Sequence, residues 1–521
     1  MDTIENFNET KLKRALINFE KKFNDNQKLR IKYAEDPAKF AGSETELFAA
    51  LDELQGLSTQ PELYHILISK NALCILTSLL SHENTDISGK VVGMLQEFTD
   101  IDETEDQKST EALINALVKD NIVDLVVSNL YRLDENIKEE SQTIINSLAI
   151  IDNLIDFDSK IVSNSSESLV DWMINQLKKK LEFDSMKLSI AELLSVLLME
   201  TSESKKHLGE IGGIDVLLQQ VAYYRRVAPV TGDEHEFLEQ TINCLCTAVL
   251  ACDENRESFF KEEGVDLVEL ILREKRDVVR KSNIKASTLK LFNHVLTTEK
   301  NRDPIVTKCC ERFVKVLGLR VLFPIFNNPK LILNEKVKKR EYHQVLDEIE
   351  EHASAIILSL LKYCQDTELL QRVLVKFAES NFEKLNRLLA LHDKYFKLVK
   401  MQQEEATSSD SNDEDDKTRS SAYYTLRTVD YILLLACYLT DHFETYDPNS
   451  GETFTNRMSN LLALRPELYH QISMETKKHL NEVENIEESN SLELLLKHFE
   501  QFAGSSLNTN NNKAPPNSHC Q

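Results

Sequence analysis

Apolar residues recur along this chain with the three- and four-residue spacing of helices that are buried on one face. The segments Asp86–Phe98 and Asn136–Leu154 both show such a stripe. Shorter and more uniformly apolar segments alternate with them, and the first reads ALCILTSLL. These apolar segments begin at Ala72, Ile122, Leu169, Ile214, Val265 and Leu319. Their spacing of roughly 45 to 54 residues predicts a repeated helical unit, somewhat longer than the ~40–47 residues usual for such units.

The line GEIGGIDVLLQQV at 209–221 shows how a unit is joined. A short helix ends at glycine and turns directly into an apolar helix, and ENRESFFKEEGVDLVELIL at 254–272 repeats the arrangement. One such unit cannot bury its apolar face alone, so copies must stack. The predicted fold is all-α: an armadillo/HEAT-like superhelical solenoid of about six repeats, with a helical N-terminal cap and an irregular helical C-terminal region.

Composition shifts divide the chain into five predicted regions. The segment QQEEATSSDSNDEDDKTRSS is nearly free of apolar residues, which is typical of disorder. The regions are an N-terminal helical cap region at 1–60, the armadillo-repeat solenoid at 61–400, an acidic disordered linker at 401–421, a C-terminal helical region at 422–503 and a disordered tail at 504–521.

Several local features are also predicted. An extended link at 29–40 follows the first amphipathic helix, Asn8–Phe23, and long loops are expected at 100–109 and 228–235. Pro324 should leave the sixth apolar helix short or kinked.

One apolar helix of the C-terminal region has two interpretations. The segment Tyr423–His442 either caps the end of the solenoid, as terminal repeats require, or forms a dimer or partner surface.

A net charge of −25 bears on the class of partner. Such a surface repels bare nucleic acid and attracts basic partners, so no direct nucleic-acid binding is expected. The alternative is that the acidity only keeps a large chain soluble. The most apolar stretch, 431–439, is shorter than the roughly 20 residues of a membrane span, and the N-terminus lacks the apolar core of a signal peptide. We therefore expect an intracellular protein without membrane contact.

The sequence shows no constellation that indicates catalysis. GEIGG lacks the spacing of a phosphate-binding glycine loop, and the pair His235-Glu236 is not followed by the second histidine of a zinc motif. The 9 cysteines have no zinc spacing, so reduced and buried thiols are expected. The prediction is a protein that is not an enzyme and that needs no metal or cofactor.

Each predicted unit has a short first helix, an apolar second helix such as the one that begins at Ala72, and a third helix such as Asp86–Phe98. Third helices line the concave face of an armadillo stack, so their carboxylates are the candidate binding groups. A lysine-rich peptide lying there would gain charge-assisted hydrogen bonds. Helix register decides which acids face the groove, and any single one could be a solvated surface acid. The candidate peptide-binding residues are Glu97, Asp100, Glu139, Glu140, Asp152, Asn153, Glu192 and Glu200.

Trp172 is the single tryptophan of the chain, which argues against an importin-type groove with its ladder of tryptophans. It falls in a second helix, where core packing is expected. Recognition of a basic peptide must then depend on carboxylates and should weaken steeply with salt.

The chain contains, in collinear order, the stretches NQKLRIKYAEDPAKF (26–40), PELYHILISKNAL (61–73), HENTDISGKVVGMLQEFTDID (82–102), LDENIKEESQTIINSLAIIDN (133–153), LGEIGGIDVLLQQ (208–220), NRESFFKEEG (255–264) and LGLRVLFPIF (317–326). Together they resemble one family, the nuclear, spliceosome-associated beta-catenin-like protein 1 family of armadillo-repeat proteins. The resemblance covers roughly residues 8–464.

The resemblance implies a nuclear, non-enzymatic adaptor in pre-mRNA splicing. It implies association with the NineTeen complex through binding of basic nuclear-localisation segments of splicing factors. Family members commonly begin with a long charged extension that holds an import signal, whereas here the chain opens at the first helix. The basic clusters at 11–14 and 336–340 are typical of solvated faces, so import together with a partner is the expectation.

Two other functions stay open on the sequence alone. One is a nuclear transport or retention adaptor for basic cargo. The other is a structural scaffold with apolar contacts, including a possible homodimer, in which the groove acids are incidental.

Overall fold

The computed structural model of the protein describes residues 8–101, 106–162, 165–227, 229–275, 283–333, 338, 340–406, 413–447 and 449–511. At 405–406, 413–420 and 504–511 the description is limited to the backbone. Parts of four predicted features lie outside these ranges: the loops at 100–109 and 228–235, the basic cluster at 336–340, and the tail beyond 511.

The all-α prediction is confirmed, since the described ranges contain one isolated β-bridge, Tyr446 to Thr453, beside their helices. The chain divides into two compact units, unit 1 from 1–220 and 230–247, and unit 2 from 221–229 and 248–521. The helices up to the division are α1 (Glu9–Lys32), α2 (Ala41–Leu54), α3 (Tyr64–Ser69), α4 (Ala72–Leu79), α5 (Thr85–Thr99), α6 (Gln107–Lys119), α7 (Ile122–Leu130), α8 (Lys138–Phe157), α9 (Ser166–Lys179), α10 (Ser185–Glu200), α11 (Ser202–Glu210), α12 (Gly213–Arg226) and α13 (Gly232–Val249).

Residues of α12 and α13 belong to both units, and the remaining helices belong to unit 2. Those helices are α14 (Asp253–Lys261), α15 (Gly264–Arg273), α16 (Ile284–Leu296), α17 (Pro304–Lys315), α18 (Leu319–Asn327), α19 (Tyr342–Tyr363), α20 (Thr367–Ala406), α21 (Asp413–His442), α22 (Phe454–Leu464), α23 (Pro466–Glu482) and α24 (Ile486–Asn511).

The predicted second helices are all present. The helices α4, α7, α9, α12, α15 and α18 each begin within three residues of the predicted start. A third helix follows each of them in the order α5, α8, α10, α13, α16 and α19. The sixth second helix, α18, is short and contains Pro324, as expected.

The turn between first and second helix has a recurring left-handed residue. Gly212, Glu263 and Leu317 have φ values of 75°, 58° and 70°, and each is followed by a glycine. Gly213 and Gly264 begin the next helix, and Gly318 is the N-cap of α18. A Cβ atom on Gly264 would lie 2.6 Å from the ring of Phe259, so at this turn the second helix can fold back because glycine leaves room. This local requirement explains why the glycine signal is visible in the sequence.

Small residues let the third helices of unit 1 approach each other closely. A Cβ atom on Gly89 of α5 would lie 2.7 Å from Oγ1 of Thr143 of α8. Farther along the stack, the thiol of Cys244 in α13 donates to the carbonyl oxygen of Ala191 in α10, 3.3 Å away. Successive third helices are therefore neighbours, and side chains on their outer sides belong to one surface.

Two predicted boundaries are wrong. The first helix extends to Lys32, well into the predicted extended link, because Asn26 is buried on α1 and its amide donates to Ser43 Oγ at 2.9 Å. The helix α13 begins at Gly232, inside the predicted loop at 228–235.

The predicted acidic linker is helical over part of its length. Within 401–421, α20 continues to Ala406 and α21 starts at Asp413, while 407–412 lie outside the described residues. The boundaries of the other predicted regions stay predictions.

The apolar helix of the C-terminal region lies inside unit 2. Every side chain from Thr428 to Cys437 in α21 is buried, and the helix contacts α19, α20, α22, α23 and α24. This central stretch leaves no apolar surface for a dimer, so the interpretation as a docked helix is favoured. Next to it, α20 is broken at Ser380–Phe382, where three consecutive residues are left-handed.

Three further observations bear on the predictions. Trp172 is buried in α9, and its indole N–H donates to the Leu130 carbonyl at 3.1 Å, which confirms core packing. The eight described cysteines are free thiols, of which only Cys74 is exposed. Among the described residues, no helix is long and apolar enough to cross a membrane.

Candidate peptide-binding surface

Four carboxylates from three successive third helices lie near one another in unit 1. We call them the acid row: Asp152 of α8, Glu192 of α10, and Asp233 and Glu236 of α13. Burial and the neighbouring charges of Glu236, Asp152 and Asp233 raise the pKa of the Glu192 carboxyl. The neighbouring charges act on Glu192 only because they lie close to it, so the four carboxylates of the acid row form one negative cluster.

The pKa of the Asp152 carboxyl on α8 is shifted in the same direction. Burial, followed by the charge of Asp156 one turn away, raises the pKa of its carboxyl. Within the part of the chain that the structure describes, none of the four row carboxylates forms an ion pair with a lysine or arginine. A cationic ligand would therefore relieve repulsion that the protein itself leaves uncompensated.

The acid row contains two of the eight predicted residues, Asp152 and Glu192, and two that sequence reasoning missed. Asp233 falls in the predicted loop at 228–235, and Glu236 is part of the incomplete zinc motif at His235-Glu236. Both lie on α13 because that helix starts at Gly232. The acidic run DEHE at its beginning is the available signal, since acidic residues are favoured in the first turn of a helix.

Glu139 and Glu140 lie apart from the acid row, at the start of α8. They line a cleft of about 620 Å³ between α2, α5 and α8, together with Glu44 and Asp86. Glu140 accepts hydrogen bonds from the Thr85 hydroxyl at 3.0 Å and from the backbone N–H of Asp134 at 2.7 Å. Glu140 thus fastens the start of α8 to α5, while Glu139 is exposed at the edge of the cleft.

The other predicted residues occupy the ends of third helices. Glu97 is half-buried, and its charge adds to burial in raising the pKa of Tyr64 on α3. The Asn153 amide donates to Thr99 Oγ1 at 3.1 Å and ties α8 to the end of α5. Asp100 caps the end of α5 and Glu200 is the exposed last residue of α10. Their role in peptide binding stays a prediction.

A buried lysine positions the central helix of the acid row. Lys187 of α10 donates to the Lys180 carbonyl at 2.7 Å and to Gln220 Oε1 at 2.9 Å, and its ammonium lies 5.7 Å from the Phe237 ring centroid. Burial lowers its pKa to about 8. Because these contacts fix α10 against α9, α12 and α13, they set the spacing between Glu192 and the carboxylates of α13.

The fold and this surface define a protein class: helical repeats of armadillo type, with no side-chain cluster among the described residues that could hold a metal ion. The chain belongs to the family described as "Catenin-beta-like, Arm-motif containing nuclear", whose model matches residues 1–473. This match confirms the resemblance seen in the sequence.

Proteins of this family from animals and fission yeast are clearly similar to the chain. Beta-catenin-like protein 1 of Homo sapiens is 39% identical over 390 residues, which are 74% of this chain and 66% of that protein. The Bos taurus protein of the same name is 38% identical over 400 residues, 76% and 68% of the two chains. The homolog from Schizosaccharomyces pombe is 31% identical over 389 residues, 74% and 64%. The chain thus spans about two thirds of the length of these relatives.

Proposed function

We propose that the protein is a non-enzymatic adaptor of the nucleus that binds basic, nuclear-localisation-type segments of splicing factors, as part of the NineTeen complex in pre-mRNA splicing. The observation that carries the binding part is the acid row, in which the charges of Glu236, Asp152 and Asp233 add to burial in raising the pKa of Glu192. The family description supports a nuclear location. The splicing role comes from the resemblance of the sequence.

The chemistry of the acid row suits an extended chain of lysine and arginine side chains. Consecutive third helices present carboxylates at intervals along the surface, and a basic peptide can satisfy several of them together. Each exposed charge pair contributes only about 0.2–1 kcal/mol, so affinity must come from the number of pairs. Binding of this kind is sensitive to salt.

A peptide titration tests the binding proposal. We expect a fluorescein-labelled lysine/arginine-rich peptide to bind with a dissociation constant on the order of 1 µM at low salt, and much more weakly at high salt. The triple variant Asp152→Asn, Glu192→Gln, Glu236→Gln should lose about tenfold or more in affinity, because it removes three of the four row carboxylates.

A matched triple variant separates the site from general charge attraction. Glu111→Gln, Glu167→Gln, Glu203→Gln changes the net charge equally at exposed positions on other helices. Its affinity should stay close to that of the unchanged protein. An equal loss in both variants would contradict a localised site, and no binding at either salt concentration would favour a scaffold with apolar contacts.

The splicing part needs a separate measurement. The tagged full chain should co-purify with spliceosomal proteins from nuclear extract, and the acid-row variant should lose those whose basic segments it binds. Recovery of import factors without spliceosomal proteins would instead support the transport adaptor.

A further inference from the structure

A second cleft, in unit 2, has the opposite charge. It measures about 440 Å³ and lies between the turn joining α17 to α18 and the first half of α20. We call it the basic cleft. It is lined by Leu317, Leu319, Arg320, Glu368, Gln371, Arg372, Val375 and Lys376.

The helical wall of the basic cleft is a single stripe of α20. Its lining residues follow one another at intervals of three, one, three and one from Glu368 to Lys376, which is the spacing of one helix face. The opposite wall is the tight turn at Leu317, whose left-handed backbone (φ 70°) directs the chain from α17 into α18. Both walls are therefore parts of regular structure and hold the cleft in a defined shape.

The cleft presents apolar side chains to solvent. Leu317 and Val375 are 36% and 43% exposed, on opposite walls, while Leu319 between them is buried. Exposed apolar side chains that face each other across a cleft favour an occupant with an apolar group of its own.

The two arginines of the cleft differ from most arginines of unit 2. Arg312, Arg387 and Arg465 are each engaged by a carboxylate of the chain, at N–O distances of 2.9, 2.6 and 2.8 Å. Arg320 is exposed and Arg372 half-buried, and neither side chain forms an ion pair or hydrogen bond with any residue the structure describes.

The other charged residues of the cleft do not neutralise Arg320 and Arg372. Lys376 is held by Glu379 at 2.9 Å, and the exposed Glu368 is the one carboxylate of the lining. The lining thus carries three cations and one anion, in a chain whose net charge is −25. Two uncommitted guanidinium groups beside an apolar floor suit a ligand that combines carboxylates with an apolar group.

We propose that the basic cleft docks an acidic peptide segment that carries apolar side chains. The guanidinium groups of Arg320 and Arg372 would each donate two parallel hydrogen bonds to a carboxylate, and an apolar side chain would pack between Leu317 and Val375. Nucleic acid is disfavoured as the occupant, because it offers no apolar side chain and is repelled by the net charge of the chain. This site is independent of the acid row and gives the adaptor a second class of partner.

A peptide array provides the test, since the partner sequence is unknown. The full-length protein would be applied to immobilised twelve-residue peptides that combine aspartate or glutamate with leucine or phenylalanine, and to the same peptides with serine in place of the apolar residues. We expect it to retain members of the first set and to bind the serine set at least about tenfold more weakly. The double variant Arg320→Glu, Arg372→Glu should lose the retained peptides.

Two controls make the outcome decisive. The variant Arg14→Glu, Arg302→Glu makes the same charge change at exposed positions outside the cleft and should keep the retained peptides. The cleft variant should still bind the lysine/arginine-rich peptide, which shows that it is folded and that the acid row is intact. The proposal is overturned if no acidic-apolar peptide is retained or if both double variants lose binding equally. It is also overturned if serine peptides or a single-stranded RNA oligonucleotide bind as tightly as the acidic-apolar peptides.

Discussion

Acidic groups on third helices have opposite environments in the two units. In the acid row of unit 1, burial and the charges of Glu236, Asp152 and Asp233 raise the pKa of Glu192. In unit 2, Glu350 of α19 accepts from Arg387 Nη2 and from Lys394 Nζ, both at 2.6 Å, and from the hydroxyl of Tyr395 at 2.9 Å. Although burial alone would raise it, Lys394 and Arg387 hold the pKa of Glu350 below its ordinary value.

This difference separates acids that support the fold from acids available to a partner. Glu350 is 7% exposed and its charge is compensated by its own chain, so it joins α19 to α20. The acid row has the same type of residue on the same type of helix, but no cation from the described part of the chain compensates it. The number of acidic residues alone therefore does not identify a binding surface. Whether a cation of the same chain pairs with the carboxylate does.

The largest predicted effect is a loss of stability on replacing Glu350. Replacing Glu350 by Gln should lower the free energy of unfolding by about 3 kcal/mol, because Arg387 and Lys394 would keep their charges beside a neutral group. Urea unfolding followed by circular dichroism measures this loss. Glu192→Gln is the matched control, and it should leave stability unchanged or slightly higher because it removes repulsion. Equal losses in the two variants would contradict the distinction.

The next prediction concerns a variant in which a lysine is introduced among the carboxylates of the acid row. Glu236→Lys places a cation beside Glu192, as Lys394 lies beside Glu350, so the affinity for the basic peptide should fall by about tenfold or more. Peptide titration measures the affinity, and Glu203→Lys on the exposed side of α11 makes the same charge change elsewhere. An affinity that falls equally in both variants would mean that only total charge matters.

A smaller effect is expected from pH. The pKa of Asp152 and of Glu192 is raised above 3.8 and 4.5 in the free protein, and a bound cation would lower both. Binding therefore releases protons, and the affinity for an arginine-only peptide should fall as the pH is lowered from neutrality through the raised pKa values of these two carboxyls. Titrations at constant ionic strength measure this slope, which Glu192→Gln should flatten. A slope unchanged in that variant would place the titrating groups elsewhere.

Stability should respond to pH with opposite signs in the two regions. Raised carboxyl pKa values in the folded state mean that Asp152 and Glu192 oppose folding at neutral pH, and this penalty is lost as the pH falls from the raised values to the ordinary values of 3.8 and 4.5. Glu350 has a lowered pKa, so its contribution is complete above its ordinary value of 4.5 and is lost as the pH falls through the folded value.

Much of the repeat architecture could be predicted because its determinants are local. Gly264 is needed because a Cβ atom at this position would clash with the ring of Phe259, five residues earlier. The apolar stripes follow the helical period. The first helix was underestimated because the contact that extends it, from Asn26 to Ser43, joins two separate helices. The break at Ser380–Phe382 has no glycine or proline to announce it.

The candidate site was less predictable for a similar reason. Compensation of Glu350 comes from Arg387 and Lys394, which lie 37 and 44 residues away in sequence. No local pattern distinguishes this glutamate from Glu192. Likewise, Asp233 and Glu236 belong to the acid row because α13 starts at Gly232, and the sequence predicts a loop at 228–235.

The most direct measurement is photo-crosslinking of the bound basic peptide. A lysine/arginine-rich peptide with a diazirine-bearing lysine analogue would be irradiated in complex with the full chain, and the modified residues would be identified by mass spectrometry. The account predicts crosslinks concentrated on α8, α10 and α13 around Asp152, Glu192 and Glu236, which disappear at high salt. Crosslinks confined to the α19–α20 region around Glu350, or spread evenly over the acidic surface, would contradict it.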